Sequence, residues 1–197
     1  KCKDKIGDKW EHFANFWRTN QLEYTWLRSL MKRHKNFWQV TEDSLDKSMK
    51  TFNIDYSMRD ELLNLYKVLS TFKEVPETLK TLKEKKYKLA ILSNGTPSSI
   101  NELVKSNNLE NFFDDIFSIE SVGIYKPSSQ VYDLPIKKYN IKKNEVAFLS
   151  SNTWDVSGGG NYGFEAIWVN RNSNIFDKLD YKPKIEIKDL SGLLNEF

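Results

Sequence analysis

Residues 88–95, KLAILSNG, decide how the chain folds. The apolar run within KLAIL is too short for a helix and stops at Ser93-Asn94-Gly95, residue types that favour turns. It reads as a short buried strand. Two later stretches have the same build: residues 146–149 (VAFL), ending at Ser150-Ser151-Asn152, and residues 166–169 (AIWV), ending at Asn170. Helical patterns lie between them. Pro76 suits the first turn of a helix carrying Leu79 and Leu82, and Pro97 opens another with Ile100, Leu103 and Val104. A third covers residues 128–139, where Pro135 is expected to kink or shorten it. Near-continuous apolar strands separated by helices indicate an α/β fold with a parallel sheet covered on both faces. In such sheets ligands sit at the C-terminal strand ends, where the SNG and SSN clusters fall. Residues 171–187 read as a surface loop with a short edge element.

Before Pro76 every strong pattern is helical. Trp10, Phe13, Trp17, Tyr24, Leu27 and Met31 step along one face of a long helix. Thr41 is placed to cap a second helix carrying Leu45, Met49 and Phe52. Ser57 and Asp60 resemble a capping box for a third, through Leu62, Leu65, Leu69 and Phe72. These helices are expected to pack as a small bundle.

Composition narrows the function. In 197 residues, 30 Lys+Arg against 27 Asp+Glu leave a net charge of only +3, too little for general capture of polyanions. The basic run at residues 83–88 is broken by Glu84 and Tyr87 and reads as a solvated helix end. One cysteine, Cys2, excludes an internal disulfide and a Cys-rich zinc site. No apolar stretch approaches the roughly 20 residues that cross a bilayer, and the first ten residues hold no apolar h-region. The expected setting is the cytoplasm, with no nucleic-acid or membrane partner.

Four islands carry candidate chemistry. Arg18 sits beside the apolar stripe of the first long helix, where it can reach a pocket or remain a surface arginine packed along its stem. Ser93-Asn94-Gly95 offers a hydroxyl and free backbone N–H groups as a seat for an anion, or simply a strand-to-helix turn. Lys126, in Tyr125-Lys126-Pro127, can offset the charge of a catalytic carboxylate or stay solvated at a helix boundary. Ser150-Ser151-Asn152-Thr153-Trp154-Asp155 sets hydroxyls, an amide and an acid directly after a buried strand, and these need partners.

Taken together, the islands resemble the L-2-haloacid dehalogenases of the haloacid dehalogenase superfamily. The stretch from Trp17 to Met31, the FxEVPxxL run from Phe72, KLAILSNG, YKPxxxVY and SSNxWD stand in that family's order and approximate spacing over nearly the whole chain. The resemblance implies a Rossmann-like core at residues 76–197 and an inserted helical cap at residues 1–75. It implies displacement of halide from C2 of an L-2-haloacid by an aspartate, followed by hydrolysis of the ester to the D-2-hydroxyacid. Such chemistry needs a desolvated carboxylate, a cationic seat for halide and a separate grip on the substrate carboxylate.

Carried over by motif, Arg18 would form the halide seat with Asn94 and Trp154. Ser93 and the Asn94 N–H would hold the substrate carboxylate, and Lys126 would pair with the nucleophile. Tyr132, Ser150, Asn152 and Asp155 would orient the lysine, the nucleophile and the hydrolytic water. Leu22, Phe37 and Trp154 would shape the pocket for the C2 substituent. No cofactor is implied, and homodimers are common among relatives. The superfamily's phosphatases hold Mg²⁺ with acids after the corresponding strand; Ser150 and a single Asp155 there imply no metal. A superfamily phosphatase and a non-catalytic carboxylate-binding protein are the alternatives.

The family's nucleophile lies in an opening apolar strand followed by Asp-x-Tyr-Gly-Thr, and this sequence contains no such motif. Asp4 and Asp8 follow no apolar strand. The expectation is a fragment of a longer dehalogenase, with a genuinely shortened homologue as the alternative: a chain without the central first strand of its sheet, with a groove in its place and little or no turnover on its own.

Overall fold

A computed structural model describes residues 2–197. The N-terminal helices are α1 (Cys2–Ile6), α2 (Trp10–Leu30), α3 (Phe37–Phe52) and α4 (Arg59–Asn64). They share one core in which Phe13, Trp17, Leu45, Met49 and Leu62 are almost fully buried. Burial of each such side chain contributes roughly 1.5–3 kcal/mol. Aromatic edges lock this core, as where Phe13 and Phe52 meet edge-on at 5.9 Å.

Three helical expectations need correction. The stripe on α2 is buried at Phe13 and Trp17, but Leu27 and Met31 are 44% and 61% exposed. In the second half of α2 the buried positions are Asn20, Gln21 and Thr25. They are tolerated because each is hydrogen-bonded; Gln21, for example, donates to Thr41 Oγ1 at 2.7 Å. Helix α3 starts at Phe37, capped by Asn36, whose side chain accepts from the Gln39 amide at 2.8 Å. Thr41 lies inside the helix. The third helix opens from Asp55 rather than Ser57, and α4 ends at Asn64 before one 3₁₀ turn, Leu65–Lys67. Leu69 and Phe72 are therefore exposed.

The rest of the chain alternates. It runs α5 (Val75–Glu84), β1 (Ala90–Ser93), α6 (Pro97–Ser106), β2 (Asp115–Ser118), α7 (Ser129–Tyr139), β3 (Ala147–Ser150), α8 (Thr153–Tyr162), β4 (Glu165–Val169) and β5 (Ile185–Ile187). Helix α7 continues through Pro135, which is buried, so that proline does not shorten it. All strand pairs are parallel, in the Rossmann-like manner.

The strands form two sheets among the described residues, β1–β2 and β3–β4–β5. Strand β4 is bonded on both sides and buried from Ala166 to Val169. Strands β1 and β3 each have one bonded neighbour, and Ile91, Leu92 and Leu149 are only half-buried. Strand β2, DIFS, carries only two apolar residues and gave no strand signal in the sequence.

Candidate active site

A cavity of about 520 Å³ opens between the two half-sheets and the N-terminal helices. Leu92, Ser93, Asn94 and Gly95 line it from the end of β1, and Leu149 through Asn152 from the end of β3. Lys126, Trp154 and Asp155 complete that wall, while Arg18, Leu22, Phe37, Trp38 and Tyr66 line the side made by the helices.

The floor is built around Asp155. Its Oδ2 lies 3.1 Å from Lys126 Nζ, and its Oδ1 accepts from the Tyr132 hydroxyl at 2.8 Å. Lys126 Nζ also donates to the Leu92 carbonyl at 2.8 Å and stands 5.0 Å over the Phe148 ring. The ammonium thus joins β1, β3 and α8 through one side chain. Its backbone N–H donates to Asn94 Oδ1 at 3.3 Å, which holds the SNG turn against it. Burial lowers the Lys126 pKa from its ordinary value, opposed by the attraction of Asp155. Burial, and then the Asp155 charge, push the Tyr132 hydroxyl far up, so it stays a donor.

The turn after β1 orders itself: the Gly95 amide donates to Ser93 Oγ at 3.0 Å, and the Ser118 hydroxyl donates to the Gly95 carbonyl at 2.7 Å. After β3 the same device recurs, with the Asn152 amide donating to Ser150 Oγ at 3.2 Å. Trp154, in the cavity wall, meets Trp26 of α2 edge-on at 5.5 Å.

Arg18 projects from α2 into this recess, where water reaches it although protein surrounds it. Desolvation lowers its pKa from the usual guanidinium value. Its Nη1 donates to Gln21 Oε1 at 2.6 Å, and Gln21 is in turn held by Thr41. The guanidinium is therefore oriented by a neutral amide and carries its full positive charge into the cavity.

Of the eleven residues singled out in the sequence, ten line this one cavity: Arg18, Leu22, Phe37, Ser93, Asn94, Lys126, Ser150, Asn152, Trp154 and Asp155. Tyr132 lies behind it, fully buried, and reaches it through Asp155. Sequence reasoning missed Gln21, Thr41 and Tyr66. Only Gln21 left a readable signal, its spacing of three from Arg18 on a helix.

The model for the family described as haloacid dehalogenase-like hydrolase matches residues 17–169. Over its full length the chain is 38% identical to the (S)-2-haloacid dehalogenase of Pseudomonas sp. (strain YL), covering 86% of that protein. The chain belongs to the haloacid dehalogenase family. Within it, the (S)-2-haloacid dehalogenase 4A of Burkholderia cepacia is 36% identical over 96% of this chain and 83% of its own length. These relatives are hydrolases of carbon–halide bonds. The solved structure of the L-2-haloacid dehalogenase from Xanthobacter autotrophicus with chloropropionic acid covalently bound superposes with a TM-score of 0.90 at 28% identity. It covers 98% of this chain and 89% of that one. This haloacid dehalogenase chain thus has the mixed α/β, Rossmann-type fold of its relatives.

Proposed function

We propose that the cavity is the site of hydrolytic dehalogenation of L-2-haloacids to D-2-hydroxyacids through an aspartyl ester. The observation that carries this reading is the lining of one small recess by Arg18 from the helices and by Ser93, Lys126 and Asp155 from the sheet ends. A cation at each side suits an attacking carboxylate neutralised by Lys126 and a halide released towards Arg18. Arg18 with Asn94 and Trp154 receives the halide, and Ser93 with the Asn94 N–H holds the carboxylate. Ser150 and Asn152 orient the water, while Leu22, Phe37 and Trp154 enclose the C2 substituent. Residues 1–75 act as a cap over a core of residues 76–197. The relatives named above support the same chemistry.

The attacking carboxylate is the remaining requirement. Among the residues lining the cavity, only Glu102 and Asp155 carry one. Asp155 has both oxygens engaged, and Glu102 is exposed on α6. In our reading the nucleophile is an aspartate delivered by an apolar strand lying between β1 and β3, where Lys126 neutralises it. The 197 residues alone then turn over little or nothing. Attack at C2 forms the ester C–O bond as the C–halogen bond breaks, and water later cleaves the ester at its carbonyl.

Chloride release from L- and D-2-chloropropionate tests this, with the chain alone and with an apolar strand ending in aspartate joined upstream. Activity on the L enantiomer only, and only with the strand, is expected. Equal rates on both enantiomers would overturn the substrate assignment. Full turnover by the 197 residues would overturn the delivered nucleophile.

We read the reaction as metal-free, because the position that would present an acid after β3 is Ser150 and Asp155 is already committed. Mg²⁺-dependent release of phosphate from a chromogenic monoester would instead favour a superfamily phosphatase. Binding of lactate with no turnover in either form would favour a carboxylate-binding protein. Leu27, Leu30 and Met31 leave an exposed apolar patch at the end of α2 that suits a second copy of the chain, and sedimentation checks for the homodimer. The single buried cysteine suits the cytoplasm.

A further inference from the structure

Tyr125 precedes the buried lysine and has no role in the chemistry above, yet it is 1% exposed and tied twice to the helical layer. Its backbone N–H donates to Ser29 Oγ at 3.2 Å, and its hydroxyl donates to the Lys35 carbonyl at 2.6 Å. The His34 ring packs on it at 5.3 Å, and Phe37 at 6.3 Å. Beside this contact His34 Nε2 lies 3.1 Å from Glu120 Oε2. Ser29 is itself oriented, because its hydroxyl donates to the Thr25 carbonyl at 2.8 Å and leaves a lone pair facing Tyr125.

Helix geometry gives these contacts their meaning. Ser29 and Arg18 belong to one helix and are eleven residues apart, close to three full turns of 3.6 residues. Both side chains therefore leave the same face of α2, about 16 Å apart along its axis. At one end that face puts Arg18 into the cavity, and at the other it holds the residue next to Lys126.

We propose that Ser29 and Tyr125 are positioning residues that make α2 a ruler between Arg18 and Lys126, so that the cavity's grip on a small carboxylate depends on this clasp. The proposal rests on the reading of the cavity as a 2-haloacid site and adds residues that act through others without touching substrate. Loosening the clasp lets α2 and the 125–127 segment move independently, which spreads the distances between guanidinium, ammonium and the SNG turn. A preorganised anion site then becomes one that must be ordered on binding.

The test uses Tyr125→Phe, which removes one hydroxyl, Ser29→Ala, which removes the acceptor, and Ser29→Thr, which keeps an oxygen in place. Two readouts are taken: calorimetric affinity for lactate, and the pH profile of Lys126 modification by an amine-reactive reagent, followed by mass spectrometry. The groups facing that ammonium are Asp155 from α8, with Tyr132 from α7 bound to it, and the Leu92 carbonyl from β1. Tyr125→Phe and Ser29→Ala are each expected to weaken lactate binding about two- to tenfold, the span of one net hydrogen bond. Both should make Lys126 react faster and move its profile towards that of an ordinary lysine, while Ser29→Thr keeps the parent behaviour in both. A lower unfolding temperature with unchanged affinity and unchanged Lys126 profile would overturn the proposal, since a merely structural contact gives that result. Should Tyr125→Phe fail to fold, the half-buried Ser29 pair still decides. Failure of the parent protein to bind lactate would instead count against the functional reading, and the Lys126 profile would still judge the clasp.

Discussion

Lys126 Nζ stands 3.1 Å from Oδ2 of Asp155, with both side chains only 7% exposed. Removing one partner leaves the other charge buried alone, which typically costs about 3–5 kcal/mol. Asp155→Ala is expected to fall in that range by urea denaturation. The paired replacement Lys126→Met with Asp155→Leu should recover part of the loss, because the desolvation of both ions disappears together while the Tyr132 hydroxyl and the Leu92 carbonyl lose their partners. It should bind no lactate. A double variant as unstable as the single would show that the pair is needed for the packing itself.

Arg18 behaves differently, because its one hydrogen bond among the described residues is to Gln21, three residues on along α2. Arg18→Gln takes the guanidinium donor from the buried Gln21 Oε1, so a modest loss of about 0.5–1.5 kcal/mol in stability is expected by urea denaturation. Calorimetry should show chloride binding weakened at least tenfold, as expected when a charge-assisted contact is lost. Arg18→Lys should not restore it, since a lysine loses the planar fork that Gln21 orients.

Gly158 tests the support behind the site. A Cβ there would lie 2.5 Å from the Tyr132 hydroxyl and 2.6 Å from Pro127 Cβ. Gly158→Ala gains helix propensity of about 1 kcal/mol, yet overpacking costs about 1–3 kcal/mol. A net loss of stability is expected, with Tyr132 pushed off Asp155. Thermal unfolding gives the sign, and an unfolding temperature above that of the parent would show that α8 shifts to make room.

Asp114 gives a pH signature far from the cavity. Hydrogen bonds from Lys83 Nζ and from the Leu89 amide hold its carboxyl below the ordinary value. A folded pKa below the unfolded one means stabilisation that is fully present above about pH 4 and is lost as pH falls through the folded value. The parent's unfolding temperature should drop in that window more steeply than that of Asp114→Asn. Identical acid slopes would remove Asp114 from the acid response.

The sequence was legible where apolar runs were unbroken. Strands β1, β3 and β4 stood out because three or four adjacent apolar residues end in a polar cluster. Strand β2 did not, since Asp115 and Ser118 bracket only Ile116 and Phe117. The overextended third helix has a physical cause: Leu65, Leu69 and Phe72 keep the helical period, but the last two stay more than half exposed, and Phe72 instead meets the Arg171 guanidinium at 3.7 Å. The candidate site was legible at strand ends, where Ser93, Ser150 and Asn152 follow buried apolar strands in the position at which parallel sheets bind ligands. It was hidden at Gln21 and Tyr66, whose polar atoms meet the site only through tertiary folding. Tyr125 was in plain view within a motif, but its partners, Ser29 and Lys35, lie 96 and 90 residues away.

Strands β1 and β3 each turn one row of peptide groups towards the recess between the half-sheets. Such rows are templates for any extended polypeptide that meets them, including another molecule of the same kind.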